Sequence, residues 1–459
     1  MATKKTLALI VALLMAVSLF AGCAQQAAPA AEAAPAAEAA PAAEAAPAAE
    51  AAPAAEAPAA DEHAPVTLEI SIIETDFYDA YENGIKPAFE AEYPWITLED
   101  VGTGENKGDF HATRAAAGDL PPVMQTDNGD VYYALVDEGK IIDLSATEAA
   151  SHIPASYKDA YTYNGTLFGL TQGAAFDAMF FNMTILEECG VTEAPTNWDE
   201  LMAACEAVKA NGNYGVLTFA GAKNTTGWMP FETIVATAVG DAEGAGVYET
   251  KLRDGSLDFA QYPEIAAKMD QIAQYVYPGS TAYTEDDVTA IMTDGTCAMA
   301  IAGNWTSNNI CTGIESAGGV AKMVVPPFNA AGGTLWLAAT PESSFGMSAV
   351  EDEAVAEARD IFFEWIFKPE NFKWIQNARG TIPVLDNMGG DLIVLGDAVK
   401  AFQAQTGSAT PFSMSFNNVT TDANQSINNY LNELWSGNAN AATALANIQA
   451  VFAADPKNK

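Results

Sequence analysis

The chain has 459 residues, with 20 Lys and Arg against 60 Asp and Glu and a formal net charge of −40. That balance excludes a nucleic-acid binder, because phosphate recognition rests on cations that displace counterions; it also disfavours an anionic ligand. A hydrophobic fraction of 49% with 10% aromatics is enough for packed cores, so the body is no acidic disordered chain, and its length fits two domains or one two-lobed unit.

At the N-terminus, Lys4 and Lys5 precede an apolar run from Leu7 to Phe20, shorter than a comfortable membrane span. The run ends in Leu19-Phe20-Ala21-Gly22-Cys23, which resembles the bacterial lipoprotein signal, with Phe20 where leucine is usual. The resemblance implies that residues 1–22 are removed and that Cys23 becomes a diacylated N-terminus, anchoring the protein to the cell membrane on its extracytoplasmic face. The alternative is an ordinary secretory peptide with an incidental cysteine. Two acyl chains anchor far better than one. From Ala27 to Ala57 the unit Ala-Ala-Pro-Ala-Ala-Glu repeats, with Pro29, Pro35, Pro41, Pro47 and Pro53 in step. A proline in every sixth place prevents a continuous helix, and the unit has nothing to build a core with. Residues 23–65 therefore read as a spacer, able to reach on the order of 100 Å at ~3 Å per residue. From Val66 onward the body carries 18 basic and 53 acidic residues, a net charge of −35.

Val66–Ile72 alternates with period two and predicts a strand. A helix over 85–93, a strand over 94–99, a helix over 111–117, a strand over 123–126 and a helix over 131–139 follow, the order of an α/β lobe with a mostly parallel sheet. Ligands of such sheets sit beyond the carboxyl ends of strands, which points to the loops Glu74–Phe77, Gly102–Asn106 and Asp127-Asn128. Further on, Asn197 and Glu200 predict a capping box for a helix over 201–210. Strands are expected at 215–219 and 296–301, and a helix at 264–275. Val355, Ile361, Phe362, Trp365 and Ile366 mark the apolar face of a long helix, and helices are expected around 424–434 and 441–452.

Several stretches carry a resemblance. Phe89-Glu90-Ala91-Glu92-Tyr93-Pro94-Trp95-Ile96, Gly118–Val123 with Asp137–Leu144, and Tyr163–Leu170 with Phe180-Phe181-Asn182 are similar to motifs of extracellular solute-binding proteins of the maltose-binding type. So are Pro195–Leu201, Gly295–Trp305 and Gly380–Val384, in the same order; Pro122 stands where the family usually has Asp. The resemblance implies a type II periplasmic-binding-protein fold, two α/β lobes joined by a hinge of crossing segments. It also implies a monomeric, non-enzymatic protein that captures a solute, usually a sugar, and hands it to the permease subunits of an ABC importer. Lobe one is then expected to be 66–172 with 325–370, and lobe two 173–324 with 371–459.

Sugars present flat C–H faces to aromatic rings and hydroxyls to Asp, Asn, Glu and Arg. Trp305, at a strand end in a motif whose aromatic often lies against the ligand in this family, is the first candidate; Trp228, in a polar loop, and Trp336, after a glycine turn, are the others. Trp95, Trp198, Trp365, Trp374 and Trp435 read as structural. Asp127, closing the third strand, is the leading polar candidate, with a turn or helix cap as its structural alternative. Asp177 and Phe176 follow the first crossing. Asp76, Asn106, Asn304 and Arg379 are candidates by loop position, Arg379 being equally suited to an ion pair.

No cofactor or metal is expected. Three histidines and five cysteines without a C-x-x-C pair leave little for a zinc site, and Gly102–Gly108 has the wrong spacing for a dinucleotide loop. Glu285-Asp286-Asp287 reads as a solvated helix start. Cys189 with Cys205 and Cys297 with Cys311 suit either disulfides or buried thiols. Two other functions stay open: the same fold holding a cationic ligand such as a polyamine or peptide, favoured by the acidic field, and a secreted glycosidase built on two carboxylates.

Overall fold

Leu68 and Ile70 are fully buried while Thr67 faces solvent, so the predicted alternation builds β1 (Val66–Ser71). The computed structural model describes residues 63–72, 74, 77–102, 107–222, 226–381, 383–414 and 419–456; the signal, Cys23 and the spacer repeat lie outside them. In chain order there follow β2 (Ile96–Asp100), β3 (Val123–Thr126), β4 (Thr162–Tyr163), β5 (Thr166–Leu167), β6 (Leu170–Thr171), β7 (Ala174–Asn182) and β8 (Gly215–Thr218). Then come β9 (Cys297–Gly303), β10 (Ala321–Val324), β11 (Trp336–Pro341), β12 (Ser344–Met347) and β13 (Thr410–Ser413).

The first sheet runs β2-β1-β3-β12-β6. β1 is parallel to β2 and β3, as the strand–helix alternation predicts, but β12 arrives from the far half of the chain and pairs antiparallel with β3 and β6. Over this sheet the helix Glu353–Ile366 buries Phe362, Phe363, Trp365 and Ile366; Asp352 caps its start by accepting from Ala354 N and Val355 N. Phe89 meets Phe362 edge-on at 5.0 Å and Trp365 at 5.2 Å.

The second sheet runs β13-β11-β7-β9-β8, with β10 also on β7. Every residue of β9 is buried, the continuous apolar run of a strand covered on both faces. β7 sends Met179 and Phe181 into one core and Ala178 and Phe180 into another. One edge of β7 takes β11 along Ala174–Phe176 and β10 along Met179–Asn182; the other edge takes β9.

Three crossings follow from strand membership: two short ones, Thr171 to Ala174 and Pro341 to Ser344, and a longer one between Met347 and Thr410. The expected division at 324–325 is therefore displaced, because β11 pairs with β7 and β13 and keeps the chain in the second lobe to Pro341. The later expected boundary near 370 also moves, since the helix Pro369–Arg379 buries Phe372 and Ile375 in the first core, where Leu385 joins them. Asn197 caps the helix Trp198–Asn211 as expected, but Glu200 reaches past it to Thr196 N, so the box closes one residue early. Glu285–Thr293 is a helix whose start is held by a Thr284–Asp287 capping box. Cys189, Cys205, Cys297 and Cys311 are free thiols, and burial pushes Cys205, Cys297 and Cys311 up to about 12. Among the described residues, no helix is long and apolar enough to cross a membrane.

Candidate ligand-binding site

Two groups of side chains stand beside the crossings. In the first lobe, the helix Lys107–Ala117 starts with a lysine whose Nζ lies 3.4 Å from Asp127 Oδ2 and donates to Glu74 Oε1 and Ser343 Oγ, both at 3.2 Å. Asp127 follows the last residue of β3 and keeps 43% of its side chain exposed; Ser343 lies in the second crossing. Burial pulls the Lys107 ammonium down, but Asp127 and Glu74 outweigh it and hold it above the usual lysine value. The wall of this lobe thus offers a partly open carboxylate paired with a lysine that it shares with Glu74. Sequence reasoning names the loop that opens with Glu74 without choosing that residue, and misses Lys107; the signal available for Lys107 was a lone cation after the second strand of a very acidic chain.

In the second lobe the site grows from the end of β9. Asn304 stands where a further pair of strand bonds would fall, and its amide supplies them: Oδ1 accepts from Phe176 N at 2.8 Å and Nδ2 donates to Ala174 O at 3.0 Å. The next residue, Trp305, is half-buried, and its Nε1 donates to Glu285 Oε1 at 3.0 Å. Its ring lies so close over Gly303 that a Cβ there would fall 2.2 Å from it. Only glycine permits this approach. Phe176, half-buried, packs against Phe402 with centroids 6.2 Å apart.

Asp177 pairs with Gly303 across the sheet, but its side chain is fully buried and points to Thr233, whose Oγ1 donates at 3.5 Å. Burial, then the neighbouring Glu232 carboxylate, raises its pKa well above the ordinary aspartate range. Arg379 is 5% exposed and ion-paired to Glu74 and Glu342, each at 3.3 Å.

The structure therefore brings Asp127 together with Lys107 and Glu74, and Trp305 together with Asn304 and Phe176. It does not do so for the other two tryptophans. Trp228 is completely buried against Phe231, and Trp336 is 5% exposed, its Nε1 donating to Asp241 Oδ1 at 2.8 Å. Both belong to the second-lobe core, which corrects the expectation that they offer ring faces to a ligand. Asp76 and Asn106 lie outside the described residues.

Comparison with known proteins gives a consistent frame. A family model described as "Bacterial extracellular solute-binding protein" matches residues 84–391, more than half the chain. A binding protein of Brucella abortus (strain 2308) is 26% identical over 247 residues, covering 50% of this chain; the match spans 56%, about half, of that relative's length. Among solved structures, RafE in complex with raffinose superposes with a TM-score of 0.70 at 18% identity, covering 86% of this chain and all of that one. Maltose-bound MalE3 of T. maritima gives 0.69 at 16% identity, covering 84% and 98%. A chitin oligosaccharide binding protein gives 0.69 at 18%, again covering 84% and 98%.

Proposed function

The chain belongs to the bacterial extracellular solute-binding proteins, and from that premise we propose that it captures a carbohydrate between its two lobes and delivers it to an ABC importer. The observation that carries the sugar assignment is Trp305. A tryptophan at a strand end, fixed by Glu285 and by its approach to Gly303, is a rigid flat surface of the kind sugar C–H faces stack on. Asp127, partly open and paired with Lys107, supplies a hydroxyl acceptor. The raffinose, maltose and chitin oligosaccharide named with the structural neighbours support the same class. Within this reading the protein is non-enzymatic and monomeric, Cys23 carries the lipid anchor, and the spacer lets the binding body reach outward from the cell membrane.

The test is thermal unfolding against raffinose, stachyose, maltose, chitin oligosaccharides, polyamines and basic peptides. Ligand at 100 times its Kd adds about 2.7 kcal/mol to stability. A saturable rise with one sugar is expected, lost in Trp305→Ala and reduced in Gly303→Ala, whose new methyl pushes the indole aside. Stabilisation by polyamines or peptides alone overturns the carbohydrate assignment and leaves the family standing. Turnover of a glycan in the same samples overturns the non-enzymatic one.

A further inference from the structure

Arg379 sits at the end of the helix Pro369–Arg379 and touches both short crossings and both lobes. Its Nη1 donates to Gln172 Oε1 in the first crossing at 3.0 Å and pairs with Glu342 Oε2 in the second at 3.3 Å. The same nitrogen lies 3.3 Å from Glu74 Oε2, on the loop after β1, while the other oxygen of Glu74 accepts from Lys107. Its carbonyl accepts from Ser307 Oγ, the first residue of the second-lobe helix Ser307–Ser316, at 3.3 Å. The surroundings are polar and buried: Gln172 and Gln376 are 0% exposed and Glu342 4%.

The two short crossings are also tied to each other. Gln172 N donates to Ser343 O at 3.1 Å, Glu342 N to Gly173 O at 3.0 Å, and Thr171 Oγ1 to Glu342 O at 2.8 Å. Gln376 Nε2, one turn before Arg379, donates to Gln172 O at 2.6 Å. A hinge is usually a place where backbone turns freely. Here it is a desolvated network centred on one guanidinium, whose Nη1 meets Gln172, Glu342 and Glu74 together. A rotation that pulls Glu342 or Gln172 away from Nη1 strips a partner from a buried charge, which is strongly unfavourable.

We infer that Arg379 is a positioning residue that sets the angle at which the two lobes rest and the path along which they close. This rests on the two-lobed capture reading above but not on the identity of the solute. Through Glu74 the same residue connects the hinge to the Lys107–Asp127 wall, so a ligand that draws on that wall also alters the load on the hinge.

The test uses the full chain without ligand, spin-labelled through an unnatural amino acid at Ala116 and Ala210, exposed helical positions in the first and second lobes. Arg379→Lys keeps the charge and replaces the planar guanidinium with a single ammonium; Glu342→Gln keeps the shape and removes the charge. Both are expected to shift or widen the interlobe distance distribution beyond the wild-type width, while Arg114→Lys, at a surface pair, leaves it unchanged. Folded variants with lowered melting temperature and a wild-type distribution overturn the inference, since a merely stabilising residue behaves that way. Should Arg379→Lys fail to fold, Glu342→Gln decides alone. Raffinose added to the wild type reads the carbohydrate proposal separately: absence of any narrowing counts against raffinose as solute and does not alter the unliganded comparison.

Discussion

At the residue scale, two buried titratable groups give the protein opposite pH slopes. His111 is 0% exposed, held between Ser71 Oγ at 2.8 Å and Tyr132 OH at 3.0 Å, and burial lowers its pKa from 6.5 to about 4. Folded His111 is neutral where the unfolded chain takes up a proton, so its stabilisation is complete above about pH 6.5 and lost as pH falls toward 4, on the order of 3 kcal/mol in all. His111→Gln should flatten the wild-type difference in melting temperature across that window. Asp177 works the other way. Its folded pKa is raised, so its contribution is present at acid pH and is lost as pH climbs from the ordinary aspartate value toward the folded one. Asp177→Asn, which cannot ionise, is expected to melt higher than wild type at pH 7 to 8, with the gap closing toward pH 4; a gap independent of pH would show that the carboxyl is not the cause.

At the scale of elements, caps and faces decide. Asn197→Ala removes the acceptor of Glu200 N and should cost about 1 kcal/mol, measured by denaturant unfolding. Phe362→Ala, under the contact with Phe89, should cost about 3–5 kcal/mol. These elements were legible before any coordinates because their signals are local: Leu68 and Ile70 alternate, and Phe362, Trp365 and Ile366 repeat at helical spacing. What was not legible is set by distant partners. Trp336 follows a glycine turn, where sequence leaves ligand contact and strand core equally open, and it is buried over Gly240, where a Cβ would come within 2.3 Å of its ring. No spacing near residue 336 reports a glycine near the end of the helix Met229–Glu243. Trp228 reads as a loop residue but stands at the start of that helix, completely buried against Phe231. The displaced boundary has a related cause: Pro341 and Ser344 belong to different sheets, and two residues between strands look the same whether the chain turns back or crosses over. Asn304 was found by position, but its part in extending β7 depends on a backbone 128 and 130 residues away.

At the scale of the whole molecule, 60 acidic side chains against 20 basic ones leave a net charge of −40 that repels itself. Added NaCl should therefore raise the melting temperature as the Debye length falls from about 10 Å at 0.1 M to about 3 Å at 1 M. The buried pairs of Arg379 are screened least, so they oppose that gain weakly. A melting temperature that falls with salt would mean that surface ion pairs outweigh the repulsion. The long strand β7 has a mechanical consequence. It begins three residues after β6 ends, and its two edges hold β9, β10 and β11 at once. A change of backbone angle at Gln172 or Gly173 cannot be absorbed inside that strand without breaking hydrogen bonds to three neighbours. It is passed on undiminished, and β7 serves as the handle by which a twist of two residues swings an entire plate.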